Sequence, residues 1–193
     1  MGIRKKLSNP KILVYLSLFF LMACASARDT YIDPNMDFGA IKTVAVMPFM
    51  NLTRETAVAE RVRDVFVNSL LATGAVYVLP IGEVARGAAR AELASPSTLS
   101  ADEAIKLGGI IKVQAIIMGT VREYGEVRSG TASANIISLS MQMIETQTGK
   151  VVWTASSTKG GITFWDRLLG SGGKPMNVVT KKAADDLISQ LLK

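Results

Sequence analysis

The sequence predicts an α/β protein in which helices pack on a mixed β-sheet of about five strands, in the order β-α-β-α-α-β-β-β-α. Residues 41–49 form a compact apolar, β-branched run that contains Pro48, which is typical of a strand buried on both faces. Apolar side chains at helical spacing follow it, and the second half of the chain alternates apolar and polar residues as strands do. The 193 residues are enough for one domain with a buried core.

The first half of the chain alternates strand and helix. Asn51 or Thr53 is placed to cap the first helix, and Gly74 is placed to stop it. Residues 75–79 predict a second short strand, so that strand, helix and strand fall within about forty residues, as in a parallel βαβ unit. The apolar stripe of this helix consists of Val58, Val62, Val65, Phe66 and Leu70.

Two further helices are expected before the second half of the chain, which is predicted to be mainly β-strand. Residues 83–93 are rich in alanine and predict the first of them. Ser100 and Glu103 have the spacing of a capping box, in which each side chain satisfies a backbone amide of the other residue. This predicts a short helix that ends at Gly108 and Gly109 and assigns the acidic pair Asp102 and Glu103 to helix capping.

The second half predicts an antiparallel meander with one face covered. Residues 113–124 form a long apolar strand, and residues 134–144 alternate, with apolar side chains at odd positions and polar ones at several even positions. Residues 147–150 are a tight-turn signal, after which residues 151–155 continue the apolar face. Residues 177–192 predict an amphipathic helix that closes the domain.

The N-terminal residues predict an exported, lipid-anchored protein. Residues 12–23 are almost wholly apolar but too few to span a bilayer, and they follow a basic start, as in a signal peptide. Leu21, Met22, Ala23 and Cys24 resemble the bacterial lipobox, which implies cleavage before Cys24 and a lipid on its thiol. The alternative is an ordinary signal peptide that ends at Ala23 and leaves Cys24 as a free thiol.

These features divide the chain into a signal peptide (1–23), a lipidated tether (24–38) and a single domain (39–193). Ala25 follows the cysteine in place of the aspartate associated with inner-membrane retention, which implies sorting to the outer membrane, with the domain facing the periplasm. Residues 25–38 contain Pro34 and show no regular spacing of apolar residues, which favours a tether. Such a tether could reach roughly 45 Å when extended.

Composition narrows the function. The formal net charge of +6 is misleading, because Arg4, Lys5, Lys6 and Lys11 lie in a leader without acidic residues, so a nucleic-acid partner is not expected. The chain has no histidine and one cysteine, which removes the usual general base and leaves no zinc or disulfide framework. We therefore expect no enzyme activity, no catalytic residue, no metal and no cofactor beyond the lipid.

One segment is a candidate contact with a partner protein or a second copy of the chain. Five apolar residues lie in a stretch flanked by glycines, and they either pack on the domain or form an exposed interaction patch. They are Ile162, Phe164, Trp165, Leu168 and Leu169.

Three segments of the domain, residues 43–49, 115–121 and 144–153, contain a strand of the form I-x-G-x-V and a turn of the form E-x-x-T-G-K. In these segments the domain resembles the curli-secretion (CsgG-type) lipoprotein superfamily, which is also similar to the N-terminal domain of TolB and to LpoB-like synthase activators. The resemblance implies a non-catalytic accessory or scaffold in secretion or cell-envelope assembly. The alternatives are a peptidoglycan-synthase activator and an oligomeric curli-type export channel.

Curli channels insert two hairpins per subunit into the membrane. Residues 122–135 and 159–176 occupy the corresponding places, but they are charged or rich in glycine and lack sustained alternation. We therefore expect a domain that inserts no hairpins of its own and works from its lipid anchor.

Overall fold

The computed structural model describes residues 30–130, 132–161 and 173–193. These ranges contain a seven-stranded sheet and four α-helices, which confirms the predicted α/β class. The strands are β1 (Thr30–Ile32), β2 (Thr43–Val46), β3 (Met50–Asn51), β4 (Tyr77–Val78), β5 (Ala115–Ser129), β6 (Ala132–Glu145) and β7 (Val151–Gly160). The helices are α1 (Val58–Thr73), α2 (Ile81–Arg90), α3 (Ala101–Ile111) and α4 (Met176–Leu191).

The sheet is mixed and has the strand order β1-β7-β6-β5-β2-β4. β2 is parallel to both β4 and β5, and β3 adds a parallel pair further along β5, so the predicted βαβ unit and its parallel pairing are confirmed. β5, β6, β7 and β1 are antiparallel, as expected for the meander. The two strands that the sequence pattern did not reveal, β1 and β3, have only three and two residues, too few to show a period.

The main core lies between one face of the sheet and helices α1 and α4. The odd-numbered apolar residues of β6 point into it, as their alternation predicted, and Phe66, Trp153 and Leu187 are fully buried there. Side chains also join the layers, since the Ser157 hydroxyl of β7 lies 2.7 Å from the Asp186 carboxylate of α4. This core holds one face of the antiparallel strands against α1 and α4.

A smaller core lies on the opposite face of the sheet. Helices α2 and α3 pack there on β2, the first residues of β5 and the end of β6, and they bury Met47, Val84, Leu107, Ile116 and Ile144. They do not extend across the middle of the meander, where the described structure is open. The uncovered area is therefore defined by where α2 and α3 sit.

The structure corrects the expected tether over residues 30–38. Thr30–Ile32 pairs with β7, and the amide of Asp33 donates to the carbonyl of Val152 at 2.8 Å. The Thr30 hydroxyl also reaches Gln190 of α4 at 2.5 Å. The strand occupies an edge and leaves Tyr31 and Ile32 about half exposed, so its sequence shows no alternation. The remainder of the expected tether lies outside the described residues.

The capping residues predicted for the helices are found in part, and two of the predicted helix ends are corrected. The capping box of Ser100 and Glu103 is confirmed, and Gly74 ends α1 in the left-handed region. Asn51 and Thr53 do not cap α1, because they bond each other and close the turn before it. α3 continues past Gly108 and Gly109 to Ile111, since apolar residues there still pack, and Lys112 takes the left-handed position.

Candidate functional site

The face of β5, β6 and β7 that α2 and α3 leave uncovered carries hydroxyl and amide side chains. We call it the open sheet face and define it by Thr120, Ser138, Ser140, Gln142, Thr154, Ser156 and Thr158. Met118, which is buried in the smaller core, borders it. Strand alternation creates it, because residues that neighbour the buried odd positions of β6 must point to the other side. The polar even positions noted in the sequence are thus the signal of this surface.

The strand register sets these side chains in rows across the sheet. Thr120, Ser140 and Ser156 oppose one another in one row, and Met118, Gln142 and Thr154 form the next. Within the rows, the Gln142 amide lies 3.6 Å from the Met118 sulfur. Beyond them, the Thr158 hydroxyl donates to that of Ser138 at 3.0 Å. The surface is an ordered set of short polar groups on a rigid sheet.

Part of this face forms a groove of about 500 Å³. Its walls are residues 97–99 of the loop after α2, Met50 of β3, and Arg122, which stands at an irregularity in the pairing of β5 with β6. Ser, Thr and Gln side chains both donate and accept hydrogen bonds, and Arg122 adds a cation at the rim. Chemically, the groove suits a partner that presents both polar backbone or side-chain groups and an apolar group for contact with Met50 and Leu99.

A second cavity, of about 280 Å³, lies between α1, α2 and the end of β2. We call it the Arg63 pocket. The Arg63 side chain donates through Nε (3.2 Å) and one Nη to the carbonyl of Val46. Burial lowers the pKa of Arg63 from its ordinary value, although the charges of Asp64 and Glu60 oppose the shift. The other lining residues are mostly apolar: Pro48, Ile81, Val84, Ala85, Ala88, Ala89, Leu93 and Pro96.

Sequence reasoning missed the Arg63 pocket, although one signal was present. Arg63 follows Val62 and precedes Phe66 and Val67 by three and four residues, so it belongs to the inward stripe of α1. A charged residue in such a stripe must find a partner or a cavity. The pocket itself depends on the placement of α2, which sequence periodicity does not give.

The predicted site residues lie outside the described residues. These are Leu21, Met22, Ala23 and Cys24 of the lipobox and Ile162, Phe164, Trp165, Leu168 and Leu169 of the candidate contact. The ends of the second segment are placed, however. The amides of Gly161 and Gly173 donate to the carbonyls of Asn135 (2.9 Å) and Ser133 (3.1 Å), so the chain leaves and returns beside the start of β6.

The described ranges contain neither a membrane-spanning helix nor a metal site. None of the helices there is both long and apolar enough to cross a membrane. No three acidic or cysteine side chains within those ranges come together as a metal site requires.

The fold belongs to a class of bacterial lipoprotein domains. A family model for GNA1162-like lipoproteins matches residues 37–163, and the chain belongs to this GNA1162-like lipoprotein family. No curated protein gives a match. The CsgG-type resemblance therefore stays a prediction, while the family assignment supports the expected lipoprotein and envelope character.

Solved structures share the fold at low sequence identity. The chain is similar to a point variant of the PelC dodecamer from Paraburkholderia phytofirmans (TM-score 0.58, 16% identity, covering 85% of this chain and 96% of that one). It is also similar to lipoprotein GNA1162 from Neisseria meningitidis (0.52, 19%, 67% and 90%). A third similar structure is the hypothetical protein CT253 from Chlamydia trachomatis (0.54, 13%, 79% and 96%).

Proposed function

We propose that this chain is a non-enzymatic scaffold of the outer membrane, held by a lipid on Cys24, whose domain binds a protein partner in the periplasm during secretion or cell-envelope assembly. Membership of a lipoprotein family supports the anchor, and the CsgG-type resemblance supplies the class of process. The lipid is the only attached group in this proposal. Binding and positioning, rather than covalent chemistry, are its mechanism.

The open sheet face is the observation that carries the proposal. Three long paired strands hold its hydroxyl and amide groups in fixed rows, so the surface is formed before any partner arrives. Short Ser and Thr side chains have few rotamers, so fixing them on binding costs less than fixing long charged side chains. The groove adds apolar lining residues such as Met50 and Leu99, and ordinary protein interfaces likewise combine apolar area with hydrogen-bonding groups.

The partner on this face includes a second copy of the chain. The PelC structure from Paraburkholderia phytofirmans is a dodecamer, and this chain is similar to 96% of its length. Head-to-tail assembly, one way to build an oligomer, uses two different patches on each subunit. The open sheet face and the segment that contains Trp165 are the two patches we assign.

Site-specific photo-crosslinking in intact cells tests the proposal. A photoreactive amino acid replaces Ser156, which is exposed on the open sheet face, or Trp165 in the candidate contact. The control position is Ser189, which is exposed on α4 on the opposite side of the sheet. We expect adducts from the first two positions and none from the third, because the face covered by α1 and α4 has no role in binding.

The mass of each adduct separates the possible partners. A dimer-sized adduct identifies self-assembly, and an adduct with another protein identifies a scaffold partner by peptide mass spectrometry. Equal adducts from Ser156 and Ser189, or no adducts from Ser156 in cells that make the protein, would contradict the assignment of the open sheet face.

A further inference from the structure

The Arg63 guanidinium is a buried charge that forms no ion pair with a carboxylate of the described residues. The residue is 8% exposed. Each ion pair in the part of the chain that the structure describes involves other residues, and the carboxylates of Glu60 and Asp64 act on Arg63 only through longer-range attraction. A guanidinium has five N–H donors, so two hydrogen bonds to the Val46 carbonyl leave three.

Arg63 lines a cavity whose other lining residues are all apolar. Most of them belong to α2, Pro48 and Pro96 complete the lining, and the volume of about 280 Å³ lies just below the usual range of ligand sites. Apolar surroundings solvate the Arg63 cation poorly. The attraction between Arg63 and an anion is therefore stronger in this cavity than the same attraction would be in water. Guanidinium groups bind carboxylates through two parallel hydrogen bonds.

We propose that the Arg63 pocket binds the carboxyl-terminal residue of a partner protein, with the terminal carboxylate on Arg63 and an aliphatic side chain against Val84, Ala88 and Leu93. A carboxyl-terminal residue carries the carboxylate and its side chain on the same Cα. A single residue can therefore contact both Arg63 and the apolar wall of a small cavity. An internal acidic residue carries its carboxylate on its own side chain, so it has no second side chain on the same Cα to place against the apolar wall. This inference rests on the proposed function, since it assumes that the domain binds proteins.

A matched pair of small probes tests the inference on the full chain in detergent micelles. N-acetyl-leucine carries the terminal carboxylate, and N-acetyl-leucinamide has the same shape without the charge. Methyl NMR spectra report binding at Val84, Ala88 and Leu93. We expect saturable shifts from the acid at millimolar concentration, and at least a tenfold weaker response to the amide, because only the acid pairs with Arg63.

Two matched variants assign the binding to the pocket. Ala89→Phe places a ring at an exposed position of the pocket wall, and Ala72→Phe makes the same change at an exposed position of α1 outside the lining. The acid should lose its effect on Ala89→Phe and keep it on Ala72→Phe. Arg63→Gln should bind the acid and the amide equally. If this variant does not fold, comparison of Ala89→Phe with Ala72→Phe still shows whether the acid binds in the pocket.

Equal binding of acid and amide, or acid binding that survives Ala89→Phe, would overturn the inference. If Ser156 forms crosslinks but N-acetyl-leucine does not bind in the Arg63 pocket, only this inference is overturned and the proposed function stands. Carboxylate binding without crosslinks from Ser156 would instead overturn the role of the open sheet face.

Discussion

At the scale of single residues, Glu145 shows how one motif of the sequence acts in the fold. Burial by itself would raise its pKa, but hydrogen bonds from the Thr148 hydroxyl and from the amides of Gln147 and Thr148 outweigh burial and lower the pKa below the ordinary 4.5. Gly149 follows with φ of +69°, where an added Cβ would lie 2.8 Å from the Ala101 carbonyl oxygen. The E-x-x-T-G-K pattern therefore builds the turn between β6 and β7 against α3.

Glu145→Gln should make the protein less stable at neutral pH and less sensitive to acid. The carboxylate is more acidic in the native state, so its stabilising effect is present above pH 4.5 and is lost as the pH falls through the lowered native pKa. We expect a loss of about 1.5–3 kcal/mol at pH 7, as for hydrogen bonds to a charged group. Denaturant unfolding between pH 3 and 7 measures both effects.

Glu123→Gln is the control, because Glu123 is exposed on β5. It should leave stability at pH 7 and its acid dependence close to those of the natural chain. A parallel response of the two variants would show that Glu145 has no special role.

At the scale of elements, Gly119 explains the I-x-G-x-V strand. A Cβ at this position would lie 2.7 Å from both the Phe49 ring and the Met141 sulfur, so β5 needs glycine where Phe49 crosses it. Phe49 in turn packs edge-on against Phe66 of α1, with ring centroids 6.0 Å apart. The glycine thus lets the segment after β2 and the helix α1 close over the sheet.

Gly119→Ala should destabilise the domain by about 1–3 kcal/mol, the usual cost of adding a methyl group to a packed core. Gly109→Ala is the matched control: the position lies in α3 with no atom within 4 Å of the added Cβ, so the helix should gain about 0.5–1 kcal/mol. Thermal and denaturant unfolding give both values. A neutral Gly119→Ala would mean that Phe49 can move aside without cost.

Much of the element order was predictable, and the failures have physical causes. Long periodic segments such as those of α1, β6 and α4 were located within a few residues, because burial on one face imposes a period on the sequence. β1 was missed because an edge strand of three half-exposed residues has no such constraint. The alternation of β6 predicted a polar face, but the extent of the open sheet face and the existence of the Arg63 pocket could not be predicted, because both depend on where α2 and α3 lie.

At the scale of the whole molecule, β1 brings the domain close to its expected anchor. Residues 25–29 separate Cys24 from Thr30, and five residues reach at most roughly 17 Å, against roughly 45 Å for the tether expected from sequence. β1 is paired with β7 and bonded to α4, so a lipid on Cys24 would hold the body near one leaflet. This would restrict the orientations in which the domain meets a partner.

Cys24→Ala should abolish lipidation. In cells fed radioactive palmitate, we expect label on the natural chain and none on the variant, which should also keep its leader. Ala25→Asp is the sorting control: it should keep the label but move the protein to the inner membrane. Normal maturation of Cys24→Ala would contradict the anchor and, with it, the proposed place of action.

The sequence by itself determined the α/β class, the order of the longer elements, the alternation of the meander and the expectation of a lipid anchor. These follow from local periodicity, caps and a short leader motif, all of which involve residues close together in the chain. Only the tertiary structure decided that β1 joins the sheet edge, that α2 and α3 leave part of one sheet face uncovered within the described residues, and that Arg63 lines a cavity. Each of these depends on packing between elements far apart in sequence, where the free energy of burial, not local preference, selects the arrangement.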